Sequence, residues 1–406
     1  MQLDEGSGVG HERPSGDEAG GLSFDLSQSQ AEVRSKARAF AAEKVAPGAR
    51  DRYAGEEYPV ELVREMGSAG LLGIPFPATY GGTGRGLLAL CLAIEEIGRV
   101  DQSLGITLES AISLGAMPIY RFGTEEQRSR WLPSLVSGES VAGFGLTEPG
   151  GGTDTAGLTT TATRDGDAWV INGEKAWIGN AGSPITSFVT ITAVTGRRDD
   201  GRPEITNLLV PAGTPGFHPQ ERNDLVGWRT IDNRHLKFVD CRVPVENEIG
   251  ERGRGLGNFL SILDAGRVAI AALAVGLIQG CLDECVRYAK ERTAFGQPIG
   301  AYQAVQFKIV DMAVAAQLAR DATWRAAWLA DAGRPFRTEA SIAKVYASEA
   351  AATTARQAAQ VFGGLGFSND SAVGRFYRDV KILEIGEGTS EVQRLLLAGA
   401  LGLRDE

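Results

Sequence analysis

Histidine and cysteine are scarce in this chain, with three and four in 406 residues. The histidines (His11, His218, His235) are far apart, which argues against a histidine-based metal site or a Ser-His-Asp triad. No metal site is expected. The four cysteines contain no CxxC pair and no disulfide framework. Cys281 and Cys285 are one helical turn apart and read as two small buried residues. Basic residues are outnumbered, 41 against 51 acidic, with a net charge of −10 and a pI near 5.1. That balance argues against a general nucleic-acid binder. The longest apolar run, Val268 to Ile278, is far short of the ~20 residues that span a bilayer. Residues 1–21 are nearly devoid of apolar side chains. They resemble neither a signal nor a transit peptide and read as a disordered tail. A cytoplasmic protein is expected. Demanding chemistry is left to a carboxylate working with a bound cofactor.

What is present is ample material for a large core: 43% hydrophobic and 23% charged residues, as in ordinary soluble globular proteins. The texture changes twice along the chain. Residues 22–142 are helical in pattern. Apolar residues of Gln30–Lys44 recur at helical spacing, helices are expected over Leu87–Val100 and about Ser103–Phe122, and Thr124-Glu125-Glu126-Gln127 forms a capping box. Gly81-Gly82-Thr83-Gly84 lacks the Gly-Lys-Ser/Thr ending of a phosphate loop. Residues 143–250 alternate in the strand manner. Asp165-Gly166 and Asn172-Gly173 read as hairpin turns of an antiparallel β domain. Residues 251–406 carry four long Ala- and Leu-rich amphipathic stretches, expected as an antiparallel four-helix bundle. The fold class is α+β multidomain in the order α, β, α; a doubly wound fold would alternate strands and helices.

Six segments can carry chemistry. In Lys381–Arg394, Glu387 stands between Gly386 and Gly388, just before a helix opened by Thr389 and Ser390. Phe144-Gly145-Leu146-Thr147-Glu148-Pro149-Gly150-Gly151-Gly152-Thr153-Asp154 lies at the helical-to-β junction, where glycines leave backbone N–H groups open to an anion or a flat polar ring. Lys175–Asn180 carries Trp177 at a strand end. Asp264-Ala265-Gly266-Arg267 opens the bundle. Glu291–Pro298 (ERTAFGQP) is followed by Tyr302 and Gln303. Gln360–Phe367 reads QVFGGLGF. Individually, each has an ordinary structural explanation, such as a linker, a core tryptophan, a surface ion pair or a helix end.

Together and in this order, over about Leu22 to Leu403, they resemble the acyl-CoA dehydrogenase family. The Phe144–Asp154 run is similar to its "LTEPGAGSD" segment, Lys175–Asn180 to its "WIT/WIS" strand, and Glu291–Pro298 and Gln360–Phe367 to "ERxxFG…Q" and "QxxGGxG". The resemblance implies FAD as cofactor, contacted by Phe144, Leu146, Thr147, Gly152, Thr153, Trp177, Ile178 and Gly179. Arg292, Thr293, Phe295, Tyr302, Gln303, Gln360, Gly363, Gly364, Thr389 and Glu391 are implied as further FAD contacts, with the QxxGGxG segment serving mainly the neighbouring subunit's FAD. Arginine suits a pyrophosphate through its bidentate fork. Thr153, Asp264, Arg267 and Gly388 are implied to face the substrate.

Glu387 is the implied catalytic base. Some members carry that base on the first bundle helix, where this chain has Gly266. Two departures stand out. Gly179 replaces a hydroxyl residue near the flavin, and Gly386 replaces a common tyrosine, which opens the pocket toward branched or substituted acyl groups. The implied reaction converts an acyl-CoA thioester to its 2,3-enoyl form, with electron-transferring flavoprotein as acceptor and a homotetramer (a dimer of dimers) as assembly. An acyl-carrier-protein thioester in place of CoA, an oxidase or monooxygenase outcome, and a DNA-binding flavoprotein of the same superfamily remain as alternatives. The monooxygenase relatives generally lack the base, and the acidic charge opposes DNA binding.

Overall fold

The structure, a computed structural model, describes residues 25–155 and 157–403. The tail expected over residues 1–21 lies outside them. Seven α-helices come first: α1 (Gln28–Phe40), α2 (Ala49–Gly55), α3 (Val60–Ser68), α4 (Gly86–Gly98), α5 (Gln102–Ser110), α6 (Met117–Phe122) and α7 (Glu125–Val136). Capping boxes start α1 at Ser27 and α7 at Thr124, the second as its sequence foretells. The helix expected over Ser103–Phe122 is broken by a π-helical turn, Ala111–Ala116. Pro118 has no N–H to continue the regular ladder, and a Cβ on Gly115 would lie 2.7 Å from the Ala142 carbonyl oxygen.

Next comes an eight-stranded sheet. Its strands are β1 (Val141–Gly145), β2 (Thr161–Asp165), β3 (Ala168–Gly179), β4 (Thr186–Arg197), β5 (Pro203–Pro211), β6 (Phe217–Arg222), β7 (Asn233–Pro244) and β8 (Glu248–Ile249). The order is β6-β7-β3-β2-β4-β5-β8, with β1 beside β4. Two expectations are corrected here. The sheet is mixed, because β1 enters from the helical layer and runs parallel to β4, as β2 also does. Asn172-Gly173 is a bulge inside β3 and not a turn. Gly173 has φ 143°, and a Cβ there would lie 2.6 Å from Thr160 Cα, so this glycine serves a close backbone approach. The turn at Gly166 (φ 64°) does join β2 to β3.

The C-terminal bundle comprises α8 (Gly255–Glu291), α9 (Gln303–Asp331), α10 (Arg337–Phe362), α11 (Ala372–Asp379) and α12 (Ser390–Ala400). Between α8 and α9 lies a short hairpin of β9 (Thr293–Ala294) and β10 (Gln297–Pro298). Helix α10 presents Ala340, Ala343, Ala347, Ala351, Ala355 and Ala358, all fully buried, at helical spacing, which lets it pack closely on α8. Helix α8 is long and apolar enough to cross a membrane, yet its most apolar window is 83% buried inside the fold, as befits a core helix. Cys281 and Cys285 are buried on it, as expected. The bundle docks on the first helical layer. Asp331, at the end of α9, accepts from the Leu87 N–H (2.6 Å) and the Leu88 N–H (3.0 Å) and so caps α4.

Candidate active site

The turn between α11 and α12 presents Glu387 in the left-handed region (φ 54°), followed by Gly388 (φ 93°). A non-glycine residue there costs about 1 kcal/mol or more, so its surroundings must hold it. They do so through the Gly388 carbonyl, which accepts from Lys344 Nζ (2.8 Å) and Gln393 Nε2 (3.0 Å). Thr389 Oγ1 accepts from the Val392 N–H (3.2 Å) and caps α12. Both carboxyl oxygens of Glu387 are buried and accept no hydrogen bond from a described residue. They press on α8 at Gly266, where a Cβ would overlap Oε2 and lie 3.0 Å from Cδ.

Burial pushes the Glu387 carboxyl up to about 7, with Glu109, Lys344 and Arg267 pulling the other way. Arg267 is 4% exposed, and its Nη1 donates to Asp264 at 2.6 Å. The expected ion pair therefore forms, with Arg267 buried and Asp264 half-buried. Glu109 is fully buried on α5 and is likewise pushed well above the carboxylate range, first by burial and then by the Glu387 charge. Lys344, with its ammonium drawn down to about 8 by burial, completes the set.

Glu109, Lys344 and Gln393 are absent from the sequence-based candidates. A signal existed for one of them: Lys344 falls on the buried alanine stripe of α10.

A second group surrounds the end of β1. Phe144 is buried and stacks on Phe259, with ring centroids 4.2 Å apart. Leu146 is buried, and the Thr147 carbonyl accepts from the Ala176 N–H at 2.8 Å, which ties this run to β3. Beneath it lies Lys175, fully buried, whose Nζ donates to Glu148 Oε1 (2.8 Å), Leu146 O (3.2 Å) and Thr192 Oγ1 (3.2 Å). Burial favours the neutral form of Glu148, but its bonds from Lys175 and Thr159 overcome this and bring it down to about 2. Burial lowers Lys175 to about 8 despite that partner. On this framework Ile178 is buried, Gly152 and Thr153 are exposed, and Trp177 is 58% exposed at φ 63°, edge-on to His235. A Cβ on Gly179 would meet nothing nearer than 4.0 Å, so the missing side chain leaves open space.

The remaining candidates gather elsewhere, at the far end of the bundle. Arg292, Thr293 and Gln303 are exposed, Phe295 is 97% exposed, and Tyr302 Oη donates to the Ala294 carbonyl at 2.9 Å. Gln360, Gly363 and Gly364 are exposed nearby, joined to this end by the Tyr288–Phe362 ring stack at 4.1 Å. Along α8 this end is roughly 37 Å from Arg267. One chain therefore does not bring all the predicted residues into one pocket. Glu391 is exposed at the start of α12.

The chain matches three family models in sequence: "Acyl-CoA dehydrogenase, N-terminal domain" over residues 27–139, the middle domain over 143–241, and the C-terminal domain over 253–402. It is 46% identical over 380 residues to the probable acyl-CoA dehydrogenase YngJ of Bacillus subtilis, covering 94% of this chain and 100% of that one. The solved structure of butyryl-CoA dehydrogenase from Megasphaera elsdenii superposes with a TM-score of 0.90 at 38% identity, covering 94% and 100% of the two chains. A glutaryl-CoA dehydrogenase from Mycobacterium smegmatis in complex with FADH2 gives 0.88 at 29% identity, covering 94% and 96%. With a helical layer, a mixed sheet and a helical bundle in the same succession, this chain belongs to the acyl-CoA dehydrogenase family.

Proposed function

We propose that this protein is an FAD-dependent dehydrogenase of short-chain acyl-CoA thioesters, with Glu387 abstracting the α-proton. The observation that carries this is the Glu387 carboxyl, buried against Gly266 and pushed up to about 7. A carboxylate at its ordinary value is too weak a base for a thioester α-hydrogen, and burial makes it stronger. Lys344 and Arg267 keep the ionised form accessible. Among the described residues, the Glu387 N–H donates to no backbone carbonyl of the turn, which leaves it free for the thioester oxygen as negative charge develops there.

The residues present fit FAD. Trp177 offers an exposed indole next in sequence to Ala176, whose N–H is bonded to the Thr147 carbonyl, and Gly179, Gly363 and Gly364 leave their surroundings open. Phe144, Leu146, Thr147, Gly152, Thr153, Trp177, Ile178 and Gly179 would hold the flavin end. Bound FAD supplies the hydride acceptor for the β-carbon. Arg292, Thr293, Phe295, Tyr302, Gln303, Gln360, Gly363 and Gly364 are too distant along α8 to serve the same site, so we assign them to the FAD of a second subunit.

An exposed apolar stripe on α9 (Phe307, Val310, Val314 and Leu318), together with exposed Phe295 and Phe367, supports a homo-oligomer, for which we propose the tetramer. Thr389 already serves as the α12 cap. With Glu391 it is proposed as a cofactor neighbour through that turn. Asp264 orients Arg267, and these two with Gly388 would line the thioester side.

The similarity to butyryl-CoA dehydrogenase supports an acyl chain of only a few carbons. Electron-transferring flavoprotein is the proposed acceptor.

The test is to mix the purified yellow protein, without oxygen, with straight, branched and carrier-linked acyl thioesters. Bleaching of the flavin absorbance by butyryl-CoA and other short acyl-CoAs is expected. Preferential bleaching by carrier-linked thioesters would move the substrate to a carrier protein. No bleaching by any thioester would overturn the reading.

A further inference from the structure

Glu109 belongs to no motif of the sequence and has no role in the reaction as set out above. It is nevertheless a fully buried acid on α5, at the edge of the π-helical turn, and its carboxyl is within hydrogen-bonding reach of Glu387. All four oxygens of the two carboxyls are buried, and none accepts a hydrogen bond from another described residue. The packing does not let them separate freely, since Glu387 is held on α8 by the space at Gly266 and its turn is clamped by Lys344 and Gln393. Two carboxylates in mutual contact, both removed from water, cannot both be ionised; one proton between them satisfies both.

We propose that Glu109 is the positioning residue of the base, holding one proton and donating it as a hydrogen bond to the Glu387 carboxylate. This rests on Glu387 being the base. The surrounding charges fix which partner keeps the proton. From α8, Arg267 paired with Asp264 faces Glu387, and from α10 Lys344 does, with Arg337 behind Asp264. From the chain's own turn and α12, Glu384 and Glu391 act on Lys344. On the Glu109 side, among the described residues, the Ser113 hydroxyl acts on the carboxyl and no cation does. Negative charge therefore settles on Glu387 and the proton on Glu109. The hydrogen bond also fixes the rotamer of the base before substrate arrives, which spares the reaction that ordering step.

Three measurements test this on the flavin-loaded full-length protein. The first is independent of turnover. The infrared difference between wild type and Glu109→Gln at pH 7, with no thioester present, should show loss of a protonated carboxylic acid C=O band. Loss of a carboxylate band instead would show Glu109 ionised and overturn the proposal. The second is the pH dependence of flavin reduction by butyryl-CoA. Glu109→Leu removes the donor, so the rising limb should move up by about one pH unit, and the rate at pH 6 should fall about tenfold relative to the plateau. Glu109→Gln keeps an N–H donor and should return the limb to near its wild-type position. A Leu variant with an unshifted limb, or a Gln variant shifted as far as Leu, would contradict the donor role. The third is Glu387→Gln. If it still reduces flavin at a normal rate, the base assignment fails and the positioning role with it, while the infrared result on the shared proton stands separately. Should Glu109→Leu not fold, the Gln variant and the infrared difference decide the matter.

Discussion

The missing side chain of Gly266 is the seat of the Glu387 carboxyl, since a Cβ on that glycine would overlap Oε2 and lie 3.0 Å from Cδ. The two positions are far apart in sequence, on α8 and on the turn before α12, and the fold brings them into contact. Gly266→Ala should therefore displace the base without unfolding the chain. The clash falls on the far end of a flexible side chain, and alanine favours a helix interior by about 1 kcal/mol over glycine. Thermal stability is expected to stay within a few degrees, while thioester-driven flavin reduction drops by on the order of a hundredfold. Reduction at the wild-type rate would show that the carboxyl has another productive position.

Lys344 should matter for the base through charge and through the turn. Its ammonium holds the Glu387 value down and donates to the Gly388 carbonyl. In Lys344→Met the rising limb of the pH–rate profile should move above pH 7. Stopped-flow reduction across pH 5.5–9 (a range set around about 7) reads this directly. A limb that stays in place would mean that Lys344 serves the turn alone.

The buried Glu148–Lys175 pair should be strongly asymmetric to mutation. Lys175→Met leaves a buried carboxylate without its cation and should destabilise the fold by about 3–5 kcal/mol, seen by urea unfolding at pH 7, with loss of bound flavin. Glu148 lies below its ordinary value, at about 2 against 4.5. Its contribution is present above the ordinary value and lost as pH falls between them, so the gap between variant and wild type should close over that window. A gap independent of pH would contradict the pairing.

Asp379 ties three regions together, accepting from Tyr53 Oη (3.0 Å) and the Trp228 N–H (2.7 Å) on one oxygen. Burial raises it to about 7 from 3.8. An acid raised in the fold binds its proton more tightly there, so stability is fully present below the ordinary value and declines as pH rises toward 7. Asparagine keeps an oxygen for both donors. Asp379→Asn should match wild type near pH 4 and exceed it in melting temperature at pH 8, by a few degrees. A constant difference across pH would refute the titration.

Local chemistry made much of the fold legible. The Thr124 capping box, the buried alanine spacing of α10 and the Gly166 turn each arise from neighbours along the chain. What escaped is set by partners distant in sequence. Gly173 looks like a hairpin residue because Asn-Gly usually is one, and only Thr160 packed against it shows why glycine is there. The parallel pairing of β1 with β4 follows from where β1 leaves the helical layer, which no alternation pattern encodes. At the candidate site, the turn that presents Glu387 was legible from its flanking glycines. Glu109 was not, because a single acid on a short helix resembles a surface residue until the packing buries it.

The most direct test of the central claim is anaerobic flavin reduction in Glu387→Gln. The isosteric amide keeps the turn, the Gly388 clamp and the flavin, and removes only the proton acceptor. The variant should be purified yellow, bind butyryl-CoA, and show a bleaching rate lower by several orders of magnitude. Bleaching at the wild-type rate would contradict Glu387 as the base.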